Sequence, residues 1–502
     1  MKKLLSNIYP FLLAGYPILA LRKQNLVYVN FTSIIRSLLL SFLITVVLFL
    51  LLKLLTKDWG KAGLITTLII MLFFSYGHIY TQLQLSFGDS IRHRYLIIIF
   101  VFAFILVGIG ILRLRNIEPV KQFLTAFGLI LIVFSSSQAI IYDFSSYRTA
   151  ELAKKEVQAK TANTNSLTEE LPDIYLIILD GYTRADVLAE AYGFDNSDFI
   201  QDLGDMGFYV ANCSQSNYPI TKYSLSSIMN ADYLQNYSNI EMLPPLKVSL
   251  VNETLKNLGY TTIAFENSVE GHFDLMEDIH ISRKQQALGM IDFVGGPNEF
   301  EAELIKTTLL KLFYDMPQLL PGLTLTDLQK AEHNEHYRQT FFILEELEKI
   351  PQMNGHNFVF AHLLVPHPPY IFAPTGDFRF TDDARSGYPS NVEFINSHLL
   401  PVLNTIIETS ETPPIIIIQG DHGAYGNFIT PQMRLSILNA YYVSDETKTS
   451  LYSTITPVNS FRVIFNHYLD TDFPLLEDIS YFMKKPDQFT QDNIIENTCT
   501  TP

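Results

Sequence analysis

Residues 415–423 read IIIIQGDHG, and residues 174–182 read IYLIILDGY. Each stretch is an uninterrupted apolar run, rich in isoleucine, that stops at an acidic residue. Such runs predict strands buried on both faces, which is typical of a parallel sheet covered by helices. Ligands of open α/β sheets bind beyond the carboxyl ends of the strands. The two runs therefore predict that Asp180, Asp421 and His422 lie together at one edge of a sheet.

A ligand set of two aspartates and one histidine indicates a divalent cation. Carboxylates supply hard oxygen atoms and imidazole supplies a borderline nitrogen, a combination suited to Zn²⁺ or Mn²⁺, with Mg²⁺ and Ca²⁺ as further alternatives. An aspartate at the end of one strand is weak evidence, but its pairing with Asp-His-Gly at residues 421–423 is much stronger evidence.

The chain divides into two parts of different composition. Residues 1–150 contain 14 Lys and Arg against 4 Asp and Glu, a balance of +10, whereas residues 151–502 contain 21 against 47, a balance of −26. The first part is apolar and basic, and the second is acidic and of ordinary polarity. We therefore expect a transmembrane domain over residues 1–142, a linker over 143–172 and a soluble domain over 173–502.

Hydropathy predicts five membrane-spanning helices in the first part. Four clear spans cover residues 34–55, 62–80, 95–112 and 120–141, and a shorter one covers residues 8–21. If the amino terminus is cytoplasmic, the inner segments hold eight Lys and Arg and the outer segments hold five, which the positive-inside rule favours. Five spans then place everything after Tyr142 outside the cytoplasm, whereas four spans would reverse this topology.

The soluble part alternates apolar runs with helical patterns from Pro172 onward. Alternation of this kind predicts an α/β domain with a mostly parallel sheet between helix layers. The predicted fold is thus an α-helical membrane domain of five spans followed by this α/β domain.

Cys213 and Cys499 are the only cysteines in the chain. An exported domain could oxidise them to a disulfide, but pairing cannot be deduced from the sequence. We expect Cys213 to be free and buried.

A candidate nucleophile lies between the two strand-end motifs. Leu225, Ile228 and Met229 have helical spacing, and Thr221 stands at the start of that helix. A hydroxyl there faces unpaired backbone N–H groups and the positive end of the helix dipole, which together stabilise an anion. The alternative is that Thr221 simply caps the helix, as threonine often does.

Asp180, Thr221 and the Asp421-His422 pair, in this order on this strand pattern, resemble the alkaline phosphatase superfamily. The nearest branch is similar to sulfatase-like membrane-anchored transferases, namely lipoteichoic acid synthases and lipid A phosphoethanolamine transferases. The resemblance implies five amino-terminal spans and an extracytoplasmic catalytic domain. It also implies a metal held by Asp180, Thr221, Asp421 and His422, with Thr221 as the nucleophile. The chain departs from these transferases at Asp180, where they commonly have Glu.

A sulfatase reaction is disfavoured by the same stretch of sequence. True sulfatases modify Cys or Ser within a C/S-x-P-x-R motif, and residues 213–217, CSQSN, lack both the Pro and the Arg. A phosphoryl substrate is therefore preferred to a sulfate ester.

Four further residues are candidates for binding the substrate. In the related transferases a histidine near this position contacts the substrate phosphate, and we give this role to His367, which prolines flank. His362 lies within an apolar run and is either a second binding residue or a hydrogen-bonded core residue. Lys222 and Arg184 could pair with phosphate oxygens or be solvated surface charges. We expect His336, in a polar stretch, to lie on the surface.

The resemblance implies an integral protein of the plasma or inner membrane. It would move a phosphoglycerol or phosphoethanolamine head group from a membrane phospholipid to a glycan or glycolipid, through a phosphothreonine. The alternatives are a hydrolase, either a phosphatase or phosphodiesterase or, with less support, a sulfuric ester hydrolase, and a membrane scaffold without turnover. The −26 balance of residues 151–502 argues against a nucleic-acid partner, because phosphate backbones require Lys and Arg.

Overall fold

A computed structural model of the chain describes residues 7–25, 31–161, 171–236, 249–265, 278–281, 299–316, 325–482 and 493–499. Residues 162–170 of the expected linker lie outside the described residues. The chain forms two compact units, Met1–Phe144 with Met290–Glu332, and Ser145–Gly289 with His333–Pro502.

Helices make up the amino-terminal part of the first unit. They are α1 (Tyr9–Gln24), α2 (Phe31–Thr56), α3 (Trp59–Phe87), α4 (His93–Arg113) and α5 (Glu118–Thr161), of which the residues from Ser145 onward count with the second unit. In the part of the chain that the structure describes, four stretches are long and apolar enough to cross a membrane: Ser33–Thr56, Trp59–Phe87, His93–Arg113 and Glu118–Ile141.

The predicted fifth span over residues 8–21 is wrong. This segment does form a helix, but α1 has only 16 residues. At 1.5 Å per residue it extends about 24 Å, which is shorter than the roughly 30 Å apolar core of a bilayer. Side chains of α1, such as Tyr9 and Ile18, are instead buried within the first unit.

A segment from the expected soluble domain also belongs to the first unit. It contains α10 (Glu299–Thr307) and α11 (Lys311–Asp315). Arg36 forms an ion pair with Glu301, and His93 Nε2 lies 2.9 Å from Asp315 Oδ2. These two pairs attach the segment to α2 and α4.

The second unit contains a seven-stranded sheet and its covering helices. The strands are β1 (Ile174–Leu179), β2 (Tyr209–Val210), β3 (Thr261–Phe265), β4 (Ile279–Ile281), β5 (Asn357–Leu363), β8 (Ile415–Gly420) and β9 (Asn439–Tyr442), and a separate hairpin holds β6 (Tyr370–Phe372) and β7 (Phe378–Thr381). The helices are α6 (Ala185–Tyr192), α7 (Ser197–Asp205), α8 (Thr221–Asn230), α9 (Leu250–Asn257), α12 (Leu325–Leu347, in this unit from His333 onward), α13 (Ala384–Thr409), α14 (Pro431–Leu435), α15 (Asp445–Lys448) and α16 (Ser460–Tyr468).

The sheet has the order β2-β9-β8-β1-β5-β3-β4. Strands β8, β1, β5, β3 and β4 are parallel, and β9 and β2 extend the sheet in antiparallel pairings. The predicted mostly parallel sheet between helix layers is therefore confirmed, and the span count is the part of the predicted fold that is corrected.

The surroundings of β1 explain why apolar and polar residues do not alternate along this strand. Tyr175, Ile177 and Leu179 belong to the core on one face of the sheet, and Ile174, Leu176 and Ile178 belong to the core on the other. Because successive side chains point to opposite faces, a strand covered on both sides must be apolar throughout.

The two cysteines form a disulfide, with 5.5 Å between their Cα atoms. The expectation of a free Cys213 is therefore wrong, although its side chain is buried as expected. The reason is that the described carboxyl-terminal segment returns to this region, where Asn497 Nδ2 donates to the Cys213 carbonyl. A contact 286 residues away in sequence leaves no local signal.

Candidate functional site

The register of the central strands brings the strand-end residues together. Leu179 in β1 is aligned with Gly420 in β8, so Asp180 and Asp421 leave the sheet at the same level. Gly181 has a φ of +72°, a backbone conformation that favours glycine, and its N–H donates to Asp421 Oδ1 at 2.9 Å. The turn after β1 thus fixes the second carboxylate as well as carrying the first.

Asp180, Asp421 and His422 form a buried cluster of potential metal ligands. One ligand atom from each lies within 4.8 Å of the other two. His422 Nε2 is 3.2 Å from Asp421 Oδ2 and 3.7 Å from Asp180 Oδ1. All three side chains are almost completely removed from solvent.

The hydrogen bonds of this cluster leave one acceptor on each member facing its centre. His422 Nδ1 lies 3.0 Å from the Gly423 carbonyl; a proton on Nδ1 leaves a lone pair on Nε2. Asp180 Oδ1 and Asp421 Oδ2 are buried, and among the described residues neither accepts a hydrogen bond. Two unpaired carboxylate oxygens are expensive to bury, and a divalent cation would satisfy both of them while taking the imidazole lone pair as its third ligand. The residues present therefore fit a metal.

The ionisation of the cluster is consistent with cation binding. Burial and then the charge of Asp180 raise the pKa of Asp421 to about 7. Burial would also raise the pKa of Asp180, but His367 and the hydrogen bond from His362 lower this pKa below its usual range. Burial, followed by the nearby positive charge of an arginine, lowers the pKa of His422, which keeps its imidazole neutral and able to act as a ligand.

Thr221 is the first residue of α8, and its hydroxyl points to this cluster. Its Oγ1 lies 3.2 Å from His422 Nε2. The cap position of the helix is occupied by Ile220, and no side chain makes a capping hydrogen bond there. The interpretation of Thr221 as a helix cap is therefore wrong, because the residue lies one position too far into the helix to cap it.

The predicted substrate-binding histidines lie on the side of Asp180 that faces β5. His367 follows β5, its backbone N–H donates to the Asp180 carbonyl at 3.0 Å, and its side chain is partly exposed. His362 is buried within β5, and its Nε2 lies 3.1 Å from Asp180 Oδ2. His362 thus has the hydrogen-bonded core position that was the alternative for it, where it orients the Asp180 carboxylate.

The two predicted basic residues differ in their environments. Arg184 is buried, pairs with Asp186 and donates to the Ser214 carbonyl at 3.1 Å, so the structure gives its guanidinium a role within the fold. Lys222 follows Thr221 and is partly exposed; its role in phosphate binding stays a prediction.

Two residues near the site were missed in the sequence, and a third was wrongly expected on the surface. Tyr425 OH lies 3.2 Å from His422 Nε2, and Arg434 Cζ lies 3.6 Å from the centre of the Tyr425 ring. His336, expected on the surface, is 6% exposed, and its Nε2 has no hydrogen-bond partner among the described residues. The position of Tyr425 just after the Asp-His-Gly motif was an available signal, whereas nothing local marks Arg434.

No family model matches this sequence, and no curated protein matches it either. Similar solved structures include the C-terminal periplasmic domain of EcEptC from Escherichia coli in complex with Zn, at 11% identity over 66% of this chain and 93% of that chain, with a TM-score of 0.43. They also include the integral membrane lipooligosaccharide phosphoethanolamine transferase A (EptA) from Neisseria meningitidis, at 12% identity over 93% of this chain and 95% of that chain, with a TM-score of 0.38.

A protein in the alkaline phosphatase superfamily from Vibrio parahaemolyticus is similar at 11% identity over 66% of this chain and 81% of that chain, with a TM-score of 0.39. These matches include the superfamily and one of the transferase groups that the sequence motifs resemble. Because every TM-score is below 0.5, we base the functional assignment on the geometry of the site itself.

Proposed function

We propose that this chain is a membrane-anchored, metal-dependent transferase that moves a phospholipid head group to a hydroxyl of a glycan or glycolipid. The observation that carries the proposal is the position of the Thr221 hydroxyl, 3.2 Å from His422 Nε2 at the rim of a buried Asp-Asp-His cluster. A hydroxyl at a helix start beside a cation site is placed to become a nucleophile.

The metal would be held by Asp180, Asp421 and His422, with Thr221 as the fourth ligand. When bound, it would supply Lewis acidity that lowers the pKa of the Thr221 hydroxyl and polarises a phosphoryl oxygen. Zn²⁺ and Mn²⁺ fit these ligands best. His362 holds Asp180 through Oδ2, which leaves Oδ1 for the cation.

The proposed reaction is a double displacement at phosphorus. The Thr221 oxygen loses its proton and attacks the head-group phosphorus, the bond from phosphorus to the lipid oxygen breaks, and diacylglycerol leaves with a proton. An acceptor hydroxyl then attacks the phosphothreonine, loses its proton, and returns the Thr221 hydroxyl. The partly exposed His367 beside Asp180 is placed to contact the phosphoryl oxygens during both steps.

Two observations support an extracytoplasmic site. The disulfide between Cys213 and Cys499 indicates an oxidising compartment. The turns before α3 and before α5 are rich in basic residues, whereas the turn before α4 has only Arg92 and Arg94. The basic residues in the turns before α3 and α5 and in the adjoining helix ends are Lys53, Lys57, Lys61, Arg113, Arg115 and Lys121. The positive-inside rule places those two turns in the cytoplasm. The chain therefore leaves the cytoplasm along α5, whether or not α1 crosses the membrane.

The proposal is tested with the full-length protein in vesicles that contain phosphatidylethanolamine and phosphatidylglycerol. Mass spectrometry of the peptide that contains Thr221 should detect a phosphoethanolamine or phosphoglycerol adduct that depends on added Zn²⁺ or Mn²⁺. Addition of a sugar acceptor should discharge the adduct faster than water alone does. An adduct that water discharges equally fast would favour the hydrolase, and absence of any adduct would contradict the covalent mechanism.

A further inference from the structure

Arg434 lies in α14 between the loop that precedes Thr221 and the loop that follows His422. Its Nε and Nη2 donate to the Pro219 carbonyl at 3.1 and 2.9 Å. Its Nη1 donates to the carbonyls of Gly423 and Ala424 at 2.9 and 3.3 Å. One guanidinium thus joins a point two residues before the nucleophile to the two residues after a metal ligand.

A second link from the same guanidinium reaches His422 through an aromatic ring. Arg434 Cζ lies 3.6 Å from the centre of the Tyr425 ring, close enough for a cation–π interaction. The Tyr425 ring in turn packs perpendicular to the His422 imidazole, with 5.2 Å between the ring centres. Arg434 therefore supports His422 both through the backbone of Gly423 and through the side chain of Tyr425.

The hydrogen bonds of the Arg434 guanidinium indicate that this residue positions the site and does not bind the substrate. A guanidinium has five N–H groups in a rigid fork, and all three nitrogens here donate to backbone carbonyls. Among the described residues, no carboxylate forms a salt bridge with Arg434. Its charge is balanced by carbonyl dipoles and the ring face.

We propose that Arg434 is a positioning residue that fixes the Thr221 hydroxyl relative to His422, and hence to the cation. This inference rests on the proposed function of Thr221 as the nucleophile. The fork geometry is the essential property, since one group must reach the Pro219 carbonyl and the Gly423 carbonyl at once. Lysine keeps the charge but is a single point donor on a flexible stem.

The test compares Arg434→Lys with Arg462→Lys in the full-length protein. Arg462 is a matched control because it also joins two backbone carbonyls, donating to Ala231 at 2.7 Å and to Pro474 at 2.6 Å. It lies beyond the opposite end of α8 and is more buried than Arg434. If loss of an arginine that joins two backbone carbonyls acted only by destabilising the fold, Arg462→Lys should lose at least as much stability as Arg434→Lys.

Three quantities are measured on each variant: the Zn²⁺ dissociation constant by chelator competition, the rate of Thr221 labelling in the phospholipid vesicles, and the melting temperature. We expect Arg434→Lys to weaken Zn²⁺ binding and to slow labelling by about 10-fold or more, the range for outer-shell partners of metal ligands. Below its melting temperature, Arg462→Lys should match the parent protein in both. Equal losses in the two variants, or parental values for Arg434→Lys, would overturn the proposal.

The zinc measurement separates this proposal from the proposed function. If the parent protein is never labelled on Thr221, the transferase mechanism fails. A loss of zinc affinity in Arg434→Lys but not in Arg462→Lys would still show that Arg434 positions His422. If Arg434→Lys does not fold, Tyr425→Leu removes the aromatic ring that contacts both the Arg434 guanidinium and the His422 imidazole. Weaker zinc binding at parental stability supports the link, and unchanged binding refutes it.

Discussion

Replacing Asp421 by Asn should stabilise the metal-free protein while weakening metal binding. Above pH 7 the buried Asp421 carboxylate is ionised, because its pKa is about 7, and it faces the ionised Asp180. Asn keeps the acceptor for the Gly181 N–H, and its Nδ2 takes the place of the unpaired Oδ2, 3.2 Å from His422 Nε2. A repulsive contact thus becomes a hydrogen bond.

The separation of the ligand atoms sets the size of this effect. The ligand atoms lie within 4.8 Å of one another, and two unit charges at that upper limit repel by about 3 kcal/mol at an effective dielectric constant of 20. Relief of this repulsion should raise the melting temperature of the metal-free second unit at pH 8 by roughly 5 °C. Saturating metal reverses the order, because a free concentration 1,000 times the dissociation constant stabilises the parent by about 4 kcal/mol.

The assay follows thermal unfolding of the full-length protein by limited proteolysis of the second unit, with chelator or with added Zn²⁺. Trp59, the single tryptophan, is not a suitable probe, because it lies in the first unit. Asp445→Asn, at an exposed carboxylate, controls for the general effect of the substitution. The reasoning is refuted if Asp421→Asn melts below the parent in chelator, or if Zn²⁺ stabilises both proteins equally.

Three further outcomes are expected. Thr221→Ser should retain the covalent adduct, and Thr221→Val should abolish it. Both variants should melt near the parent protein, because Thr221 makes no capping hydrogen bond. An adduct detected by mass spectrometry in Thr221→Val would exclude Thr221 as the nucleophile. Protons and metal compete for Asp421, whose raised pKa is about 7. Metal affinity, measured by chelator competition, should therefore fall by up to about tenfold per pH unit below pH 7. Above pH 7 the affinity should be nearly constant. A reporter that is active only outside the cytoplasm should be active when fused after Tyr142, and cytoplasmic activity there would contradict the proposed topology.

The sequence predicted the parts of the molecule that are determined by local patterns. Strands β1 and β8 were visible because burial on both faces requires an apolar run. The edge of the sheet at which Asp180, Asp421 and His422 meet followed from the parallel alignment of those strands. The start of α8 at Thr221 followed from helical spacing.

Other parts of the molecule depend on partners that the sequence does not mark. Arg434 binds backbone carbonyls, which every residue possesses, so no residue type at any spacing identifies its partners. The pairing of Arg36 with Glu301 joins positions 265 residues apart. The composition of residues 8–21 was apolar as a span requires, but the length of the helix, which decides whether it crosses, was not encoded in composition.

The aspartate at position 180, where the transferases that this chain resembles commonly have Glu, fits the local geometry. Its backbone is held on both sides, because its N–H donates to the Leu363 carbonyl at 2.9 Å and its carbonyl accepts from the His367 N–H at 3.0 Å. With the backbone fixed, the length of the side chain decides where the carboxylate lies. At the length of Asp, Oδ2 meets His362 Nε2 at 3.1 Å while Oδ1 stays in the ligand cluster, 3.7 Å from His422 Nε2. One more methylene would move both oxygens, so the shorter carboxylate and the buried His362 form one unit that leaves a single oxygen, Oδ1, in the Asp-Asp-His cluster.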